Sequence, residues 1–124
     1  MKLATGVDII EIERFASTIE RQGERFKTRY FTPREIEQSE DVVASLAARF
    51  AAKEAVSKAL GTGMGKVRPI EMEVVQDQCR APHLHLYGEA LRVAESLGLH
   101  SWSISLSHSD QYAVAFVVAV GEEG

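Results

Sequence analysis

An alanine-rich segment near the middle of the chain limits what this protein can fold into. Its periodicity predicts a helix over residues 42–60, and Gly61-Thr62-Gly63 supplies the signal that ends it. At about 100° per residue, six alanine or valine side chains share one side of this helix: Ala48, Ala51, Ala52, Ala55, Val56 and Ala59. Because these side chains are small, we expect another element to pack closely against that side.

The other periodicities predict a mixture of helices and strands. Three more helices are predicted, over residues 11–29, 33–39 and 88–97. Alternating or apolar runs predict strands over residues 4–10, 70–76, 83–87, 102–107 and 112–120. This order favours an α+β fold with a mostly antiparallel sheet and helices packed on one face. No repeat or linker divides the chain, so we expect residues 1–124 to form a single domain.

Composition and charge exclude several classes of protein. No apolar run approaches the ~18 residues of a transmembrane helix, and the N-terminus lacks the apolar core of a signal peptide, so we expect no membrane association. The single cysteine, Cys79, can form neither an internal disulfide nor a Cys-rich zinc site, which favours a cytoplasmic location. The formal net charge of −4 argues against general binding of nucleic acid.

The positive charge is concentrated in one segment. Residues 14–34 contain six cations and two carboxylates, a net charge of +4 that leaves −8 for the rest of the chain. The cations are Arg14, Arg21, Arg25, Lys27, Arg29 and Arg34. A basic face on an acidic protein favours one specific anionic partner. A solvated helix face with no partner explains the composition equally well.

The side of the 42–60 helix that carries Glu54 and Lys58 is chemically unusual. Glu54 and Lys58 share it with Ser57 and Phe50, and Gly61 follows at its end. A Glu–Lys pair four residues apart is usually only a weak surface ion pair. The aromatic ring on the charged face and the glycines, which let a phosphate approach the backbone, favour a functional interpretation.

Phosphate binding at this end of the helix would depend on side chains. The C-terminal end of a helix carries negative partial charge, so the helix dipole does not attract anions there. Side-chain cations would have to supply the attraction, and the candidates are Lys58, Lys66 and Arg68.

A carboxylate interrupts the first predicted strand. Asp8 follows Gly6-Val7 and precedes Ile9-Ile10, where a buried charge would be costly unless it is paired or bound to a metal. An aspartate that caps a turn at the strand end is the alternative interpretation. If Asp8 and Glu54 meet, the two carboxylates would suit Mg²⁺, which often takes one or two carboxylates together with substrate phosphates. Mn²⁺ would accept the same ligands.

A polar cluster ends the strand predicted over residues 102–107. Ser105 and Ser107 lie on one sheet face, and His108 follows at the exposed end. No G-x-S-x-G elbow surrounds these serines, so a contact between His108 and a phosphate or carbonyl is a more natural function than a serine nucleophile. A polar strand edge that ends in a histidine is the alternative.

Three blocks of this sequence together resemble the holo-acyl-carrier-protein synthase family of 4′-phosphopantetheinyl transferases. They are GVDIIEIER at residues 6–14, RFAAKEAVSKA at residues 49–59 and SLSHSDQYAVA at residues 105–115. They resemble the family's N-terminal signature, central helix and C-terminal hairpin, in that order. The resemblance implies transfer of 4′-phosphopantetheine from coenzyme A to a serine of apo acyl carrier protein, in support of fatty acid biosynthesis. Adenosine 3′,5′-bisphosphate would be the other product.

The resemblance also implies roles for individual residues. Asp8 and Glu54 would be the Mg²⁺ ligands, Lys58 would neutralise the leaving phosphate, and Glu54 or a water that it orients would take the serine proton. The implied coenzyme A contacts are Asp8, Arg49, Phe50, Ser57, Lys58, Gly61, Pro82, Ser107 and His108. Arg14, Arg21 and Arg25, which share one face if residues 11–29 form one helix, would dock the acidic carrier protein.

Family members are commonly homotrimers with each active site between two subunits, so the resemblance implies a trimer. This chain departs from the family at Arg80-Ala81-Pro82, where relatives usually carry a Gly–x–Pro turn. Two other functions remain as alternatives: a Mg²⁺-dependent coenzyme A phosphohydrolase that uses the same carboxylates, and a non-catalytic binding module with the same fold.

Overall fold

The structure, a computed structural model, describes residues 1–123. A strand is followed by several helices, a strand pair, a helix and a second strand pair, which is the order expected from the sequence. The strands are β1 (Lys2–Glu11), β2 (Met72–Gln76), β3 (Pro82–Leu86), β4 (Leu99–His108) and β5 (Tyr112–Gly121). The helices are α1 (Ile12–Gln22), α2 (Glu24–Tyr30), α3 (Pro33–Ser39), α4 (Val43–Leu60) and α5 (Gly88–Ser96). A short 3₁₀ turn (Pro69–Glu71) precedes β2. None of the described helices is long and apolar enough to cross a membrane.

The strands pair in two sheets. One has three strands in the order β1-β5-β4, and the other is the β2-β3 hairpin. Every pair is antiparallel, as predicted, although we expected one sheet. The outer strands of the larger sheet are also longer than the alternation indicated, since β1 and β4 each have ten residues.

Helix α4 packs on one face of the three-stranded sheet, as its alanine stripe predicts. It lies against β1 and β5, and Ala51, Ala52 and Ala55 are completely buried there. Gly6 of β1 is so close to α4 that an added Cβ would collide with the carbonyl of Ala55. The small side chains therefore bring the helix backbone almost into contact with the strand, and this contact fixes which β1 residues face α4.

The helix predicted over residues 11–29 is two helices, which corrects that expectation. Gly23 lies between α1 and α2 with φ of 67°, a conformation that glycine adopts without strain. The bend lets Phe15 of α1 pack edge-to-face on Phe26 of α2, with ring centroids 5.9 Å apart. Arg25 therefore lies on α2, not on the helix that carries Arg14.

Side chains of α3 and α4 take the place of a neighbouring strand along the outer edge of β2. Val74 N donates to Glu35 Oε2 at 2.9 Å, and Arg49 Nε donates to Val74 O at 3.2 Å. The side-chain amide of Gln38 accepts from Gln76 N and donates to Gln76 O, at 2.8 and 3.2 Å. Because these backbone groups are already satisfied, β2 has no need of a partner from the larger sheet.

A buried ion pair anchors α4 to α3 and to the segment before β2. Lys53 Nζ donates to Glu35 Oε1, Pro69 O and Met72 O, at 2.9, 2.9 and 2.8 Å. Both side chains of the pair have no exposed surface. Glu35 also completes a capping box with Thr32 at the start of α3, which is the cap that the sequence predicts. All three ammonium hydrogens of Lys53 therefore have acceptors.

Strands β1 and β5 present an apolar, open surface on the face of the three-stranded sheet that points away from α4. Its side chains come from alternate positions of β1 and β5, where Val7 lies opposite Phe116. The exposed fractions are 62% for Leu3, 55% for Val7, 62% for Ile9 and 46% for Phe116. We call these four residues the outer strip. Such a contiguous apolar surface is typical of a site that binds another protein surface.

Candidate active site

Asp8, Glu54 and Lys58 come together where β1 crosses α4. Lys58 Nζ donates to Asp8 Oδ1 at 2.9 Å and to Val7 O at 3.0 Å. Glu54 lies one helical turn before Lys58, so both side chains leave α4 on the same side. The structure therefore brings together the two carboxylates expected to be metal ligands, with the Lys58 ammonium beside them.

The electrostatics of this cluster favour binding of a cation. Burial raises the pKa of Glu54, the nearby charge of Asp8 raises it further, and Lys58 lowers it in part. The three side chains together carry one negative charge more than positive when all are ionised. Within residues 1–123 no cluster of three or more His, Cys, Asp or Glu residues could hold a metal. Two carboxylates nonetheless fit Mg²⁺, which commonly takes its remaining ligands from water and phosphate oxygens.

The environment of Asp8 differs from the buried strand that the sequence indicated. Burial alternates along β1: Gly6, Asp8 and Ile10 point toward α4, while Val7 and Ile9 point outward and are exposed. The Asp8 side chain retains 17% exposure and is paired with Lys58. Asp8 is thus neither an interruption of a doubly buried strand nor a cap at its end.

Phe50 lies one turn before Glu54 and belongs to an aromatic cluster. Its ring centroid lies 5.3 Å from that of Phe15, 5.4 Å from that of Tyr30 and 6.2 Å from that of Phe26. Together with Ile9 and Arg14, Phe50 also lines a largely apolar surface pocket. The ring therefore remains accessible beside the carboxylates, which is compatible with contact to a ligand bound there.

Arg49 and Ser57, both expected to contact coenzyme A, are buried in this chain. Their exposed fractions are 2% and 1%. Arg49 Nε donates to Val74 O at the edge of β2, and Ser57 Oγ donates to Glu54 O at 2.7 Å. The helical wheel placed Ser57 on the charged face, and the resemblance implied the role of Arg49, but β2 covers the side of α4 that carries Arg49. In the single chain the two side chains make structural contacts, and their contact with coenzyme A stays a prediction.

Of the remaining residues predicted to contact coenzyme A, one lies near the carboxylates and the others lie away from them. Gly61 ends α4 in a left-handed conformation, exposed and one turn beyond Lys58. Ser107 and His108 are exposed at the end of β4, and strand β5 separates them from β1. By alternation Ser107 points to the outer-strip face, whereas Asp8 points to α4. Pro82 belongs to the separate hairpin. One chain therefore does not bring Ser107 and Pro82 to the carboxylates.

The hairpin turn shows how the chain accommodates its departure from the family pattern. Arg80 adopts φ of 64°, the left-handed conformation that favours glycine. Asp77 stabilises the turn, because its side chain accepts from Cys79 N and Ala81 N at 2.8 and 3.0 Å.

The predicted docking arginines remain close in space despite the break at Gly23. Arg14 and Arg21 line one surface groove, and Arg21 and Arg25 line the next one along α1 and α2. Arg29, which was not among the predicted docking residues, also lines the second groove. Arg29 could have been predicted from its spacing of four residues from Arg25, which puts both side chains on the same side of a helix. Lys27 is instead paired with Asp41 at 2.6 Å.

Comparisons with known proteins agree on the family. Residues 4–117 match the family model described as the 4′-phosphopantetheinyl transferase superfamily. The chain is 47% identical over 126 residues to the holo-[acyl-carrier-protein] synthase of Herpetosiphon aurantiacus, covering 96% of this chain and 99% of that one. It is 48% identical over 117 residues to the holo-[acyl-carrier-protein] synthase of Dehalococcoides mccartyi, covering 94% and 98%.

Solved structures give the same result. The crystal structure of Helicobacter pylori holo-[acyl-carrier-protein] synthase in complex with coenzyme A superposes with a TM-score of 0.86 at 32% identity, covering 94% of this chain and 99% of that one. The fold and the sequence thus match the same group of enzymes over nearly the whole chain. The protein therefore belongs to the 4′-phosphopantetheinyl transferase superfamily, among the holo-[acyl-carrier-protein] synthases, and is a transferase.

Proposed function

We propose that this protein transfers 4′-phosphopantetheine from coenzyme A to a serine of apo acyl carrier protein, for fatty acid biosynthesis. The observation that carries the proposal is the cluster of Asp8, Glu54 and Lys58 in a chain of this family. Relatives with coenzyme A bound support the choice of substrate. The reaction takes place in the cytoplasm, a reducing compartment that suits a free, exposed Cys79, and residues 1–124 act as one domain.

The residues of the cluster fit the chemistry of this transfer. The serine oxygen forms a bond to the phosphorus that carries pantetheine, and the bond from that phosphorus to the bridging oxygen breaks, releasing adenosine 3′,5′-bisphosphate. Asp8 and Glu54 would hold Mg²⁺, which when bound offsets negative charge on the diphosphate. Lys58 neutralises the phosphate that leaves. Glu54 accepts the serine proton, directly or through a water that it orients.

The direct test is the mass of the carrier protein. After incubation of apo acyl carrier protein with this protein, coenzyme A and Mg²⁺, intact-protein mass spectrometry should show the addition of one phosphopantetheine arm. A sample with chelator should show none. Cleavage of coenzyme A without modification of the carrier would contradict the proposal and indicate a phosphohydrolase. A sample in which neither substrate changes, across several carriers, would indicate a binding module.

The protein acts as a homotrimer in this proposal. The outer strip gives each subunit an apolar surface to bury, and Ser107 points to the same face. The resemblance implies an active site between two subunits, so a second subunit would supply the Ser107, His108 and Pro82 that one chain holds away from its own carboxylates. The resemblance to a trimeric family supports three subunits over two.

Phe116→Lys tests the trimer. Phe116 lies at the centre of the outer strip, so burying a lysine ammonium there should abolish assembly, because an unpaired buried charge is costly. We expect light scattering to show a trimer for the native protein and a monomer of low activity for the variant. Leu91→Lys, at a 40% exposed position on α5, is the matched control and should remain trimeric. A Phe116→Lys protein that is still a trimer would contradict this interface.

The basic face docks the carrier protein, which as a class is strongly acidic. Replacing both Arg14 and Arg21 by glutamate should raise the KM for the carrier about tenfold or more at low salt, with a smaller effect at high salt, because charged rims mainly accelerate association. The value of kcat at saturating carrier should change little. Reversal of Arg92 and Lys66, two exposed cations elsewhere, is the control. Steady-state kinetics at two salt concentrations that show no salt-dependent difference would remove the docking assignment.

A further inference from the structure

The contacts of Lys58 place its ammonium against β1. Lys58 donates to Asp8 Oδ1 at 2.9 Å and to Val7 O at 3.0 Å, so two of its three N–H groups are engaged by a strand fifty residues away in sequence. In this arrangement Lys58 neutralises Asp8. One N–H group of Lys58 remains for another ligand, but the charge of the ammonium already offsets that of Asp8.

Glu54 has no such partner. Within the described residues, Glu54 accepts a hydrogen bond at its backbone carbonyl, from Ser57 Oγ, while the Lys58 ammonium is bonded to Asp8. The site therefore holds two carboxylates and one ammonium, and that ammonium is bonded to Asp8. A cation that binds between the carboxylates would satisfy Glu54, but it would compete with Lys58 for Asp8.

The contact between Lys58 and Asp8 is of a kind that exchanges readily. The Lys58 side chain is 53% exposed and reaches the site on a flexible four-carbon stem. Ion pairs with this much exposure contribute little to stability, so a doubly charged ion that also binds Glu54 should displace the ammonium. Once displaced, Lys58 can turn toward any anion at the mouth of the site without moving α4.

We propose that Lys58 is a resident counter-ion of Asp8, which a divalent metal displaces, and that the freed ammonium then binds a phosphate oxygen of the coenzyme's diphosphate. This inference rests on the proposed function. Metal and diphosphate then favour each other's binding, because the metal takes Asp8 from the pair and the diphosphate takes Lys58. By thermodynamic reciprocity each ligand raises the affinity of the other by the same factor.

Metal binding without coenzyme A provides the first test. Lys58→Met removes the ammonium and keeps the length of the side chain, so calorimetry should show a Mg²⁺ dissociation constant at least about fivefold lower than in the native protein. Lys66→Met is the matched control, since it removes the same charge from a side chain that lies near Glu89. It should stay within about twofold of the native value. An unchanged Lys58→Met protein, or equal changes in both variants, would overturn the proposal.

Coenzyme A binding in the presence of a chelator and without carrier protein provides the second test, through a double-mutant cycle. In the native background, Lys58→Met should alter coenzyme A affinity less than about twofold, because Asp8 already holds the ammonium. In the Asp8→Asn background, where Lys58 is free, the same substitution should weaken binding at least about fivefold. Equal effects in the two backgrounds would show that Asp8 does not restrain Lys58, and would overturn the proposal.

These measurements separate the exchange from the proposed function, since neither one measures transfer. If both binding results are obtained but no carrier is modified, the displacement of Lys58 by metal is supported and the proposed transfer to the carrier is contradicted. If the protein modifies the carrier but the double-mutant cycle on coenzyme A binding is additive, only the displacement of Lys58 from Asp8 is contradicted. If Asp8→Asn fails to fold by circular dichroism, the metal measurement on Lys58→Met decides the proposal alone, because Lys58 is an exposed residue whose loss leaves the core intact.

Discussion

Glu54→Gln is expected to lower kcat for phosphopantetheine transfer by about a thousandfold or more. General acid–base catalysis alone contributes about a hundredfold to ten-thousandfold, and the amide can neither accept the serine proton nor offer a charged ligand to Mg²⁺. The expected kinetics are a lower kcat at saturating coenzyme A and carrier, together with a higher Mg²⁺ concentration for half-maximal activity. Mass spectrometry of the carrier under single-turnover conditions measures the residual rate.

The substitution should not damage the fold, which keeps the kinetic result interpretable. Burial and the charge of Asp8 both disfavour the ionised form of Glu54, as the direction of its pKa shift shows. A neutral amide of the same size removes that repulsion, so the melting temperature should be unchanged or slightly higher. Glu95→Gln, at an exposed position on α5, is the control and should behave as the native protein in both assays.

A Glu54→Gln protein with a kcat within about tenfold of the native value, at saturating Mg²⁺, would remove Glu54 from the site. Asp8 would then be left as the acidic ligand, and the proton would have to leave the serine by another route.

The site was predictable to the extent that it depends on local geometry. Glu54 and Lys58 are four residues apart on one predicted helix, and the alanines opposite them indicated a close-packed neighbour. Whether Asp8 lies near Glu54 could not be predicted, because the packing of β1 against α4 is a long-range contact. Gly6 supplies that contact in the structure, since only a residue without a side chain fits against Ala55.

The burial of Arg49 and Ser57 could not be predicted from the sequence. A helical wheel gives the direction of a side chain, but not what lies in that direction. The hairpin covers this side of α4 because Glu35, Gln38 and Arg49 satisfy the edge of β2, a pairing of side chains with backbone that has no periodic signature. For the same reason the sequence indicated one sheet where there are two. The break between α1 and α2, in contrast, was predictable, because a glycine within a helical pattern weakens the case for one continuous helix.

Lys53→Met is expected to destabilise the protein by about 3–5 kcal/mol, the usual cost when one partner of a buried ion pair is removed. The substitution leaves the Glu35 carboxylate with no exposed surface and without its ion-pair partner, and it deprives Pro69 O and Met72 O of their donor. Urea denaturation followed by circular dichroism gives the free energy of unfolding. Lys58→Met is the matched control, because the same change at a half-exposed lysine of α4 should cost far less.

The double variant Lys53→Met with Glu35→Gln distinguishes loss of the ion pair from loss of packing. If the cost comes mainly from an uncompensated buried carboxylate, the neutral amide should recover a substantial part of it, because its oxygen could still accept from Val74 N or Thr32 N. If the double variant is as unstable as the sum of the two single variants, the pair has no energetic coupling and the packing of Lys53 is responsible. Because Lys53 immediately precedes Glu54, a coupled pair would show that a buried charge interaction anchors α4 next to the carboxylate of the active site.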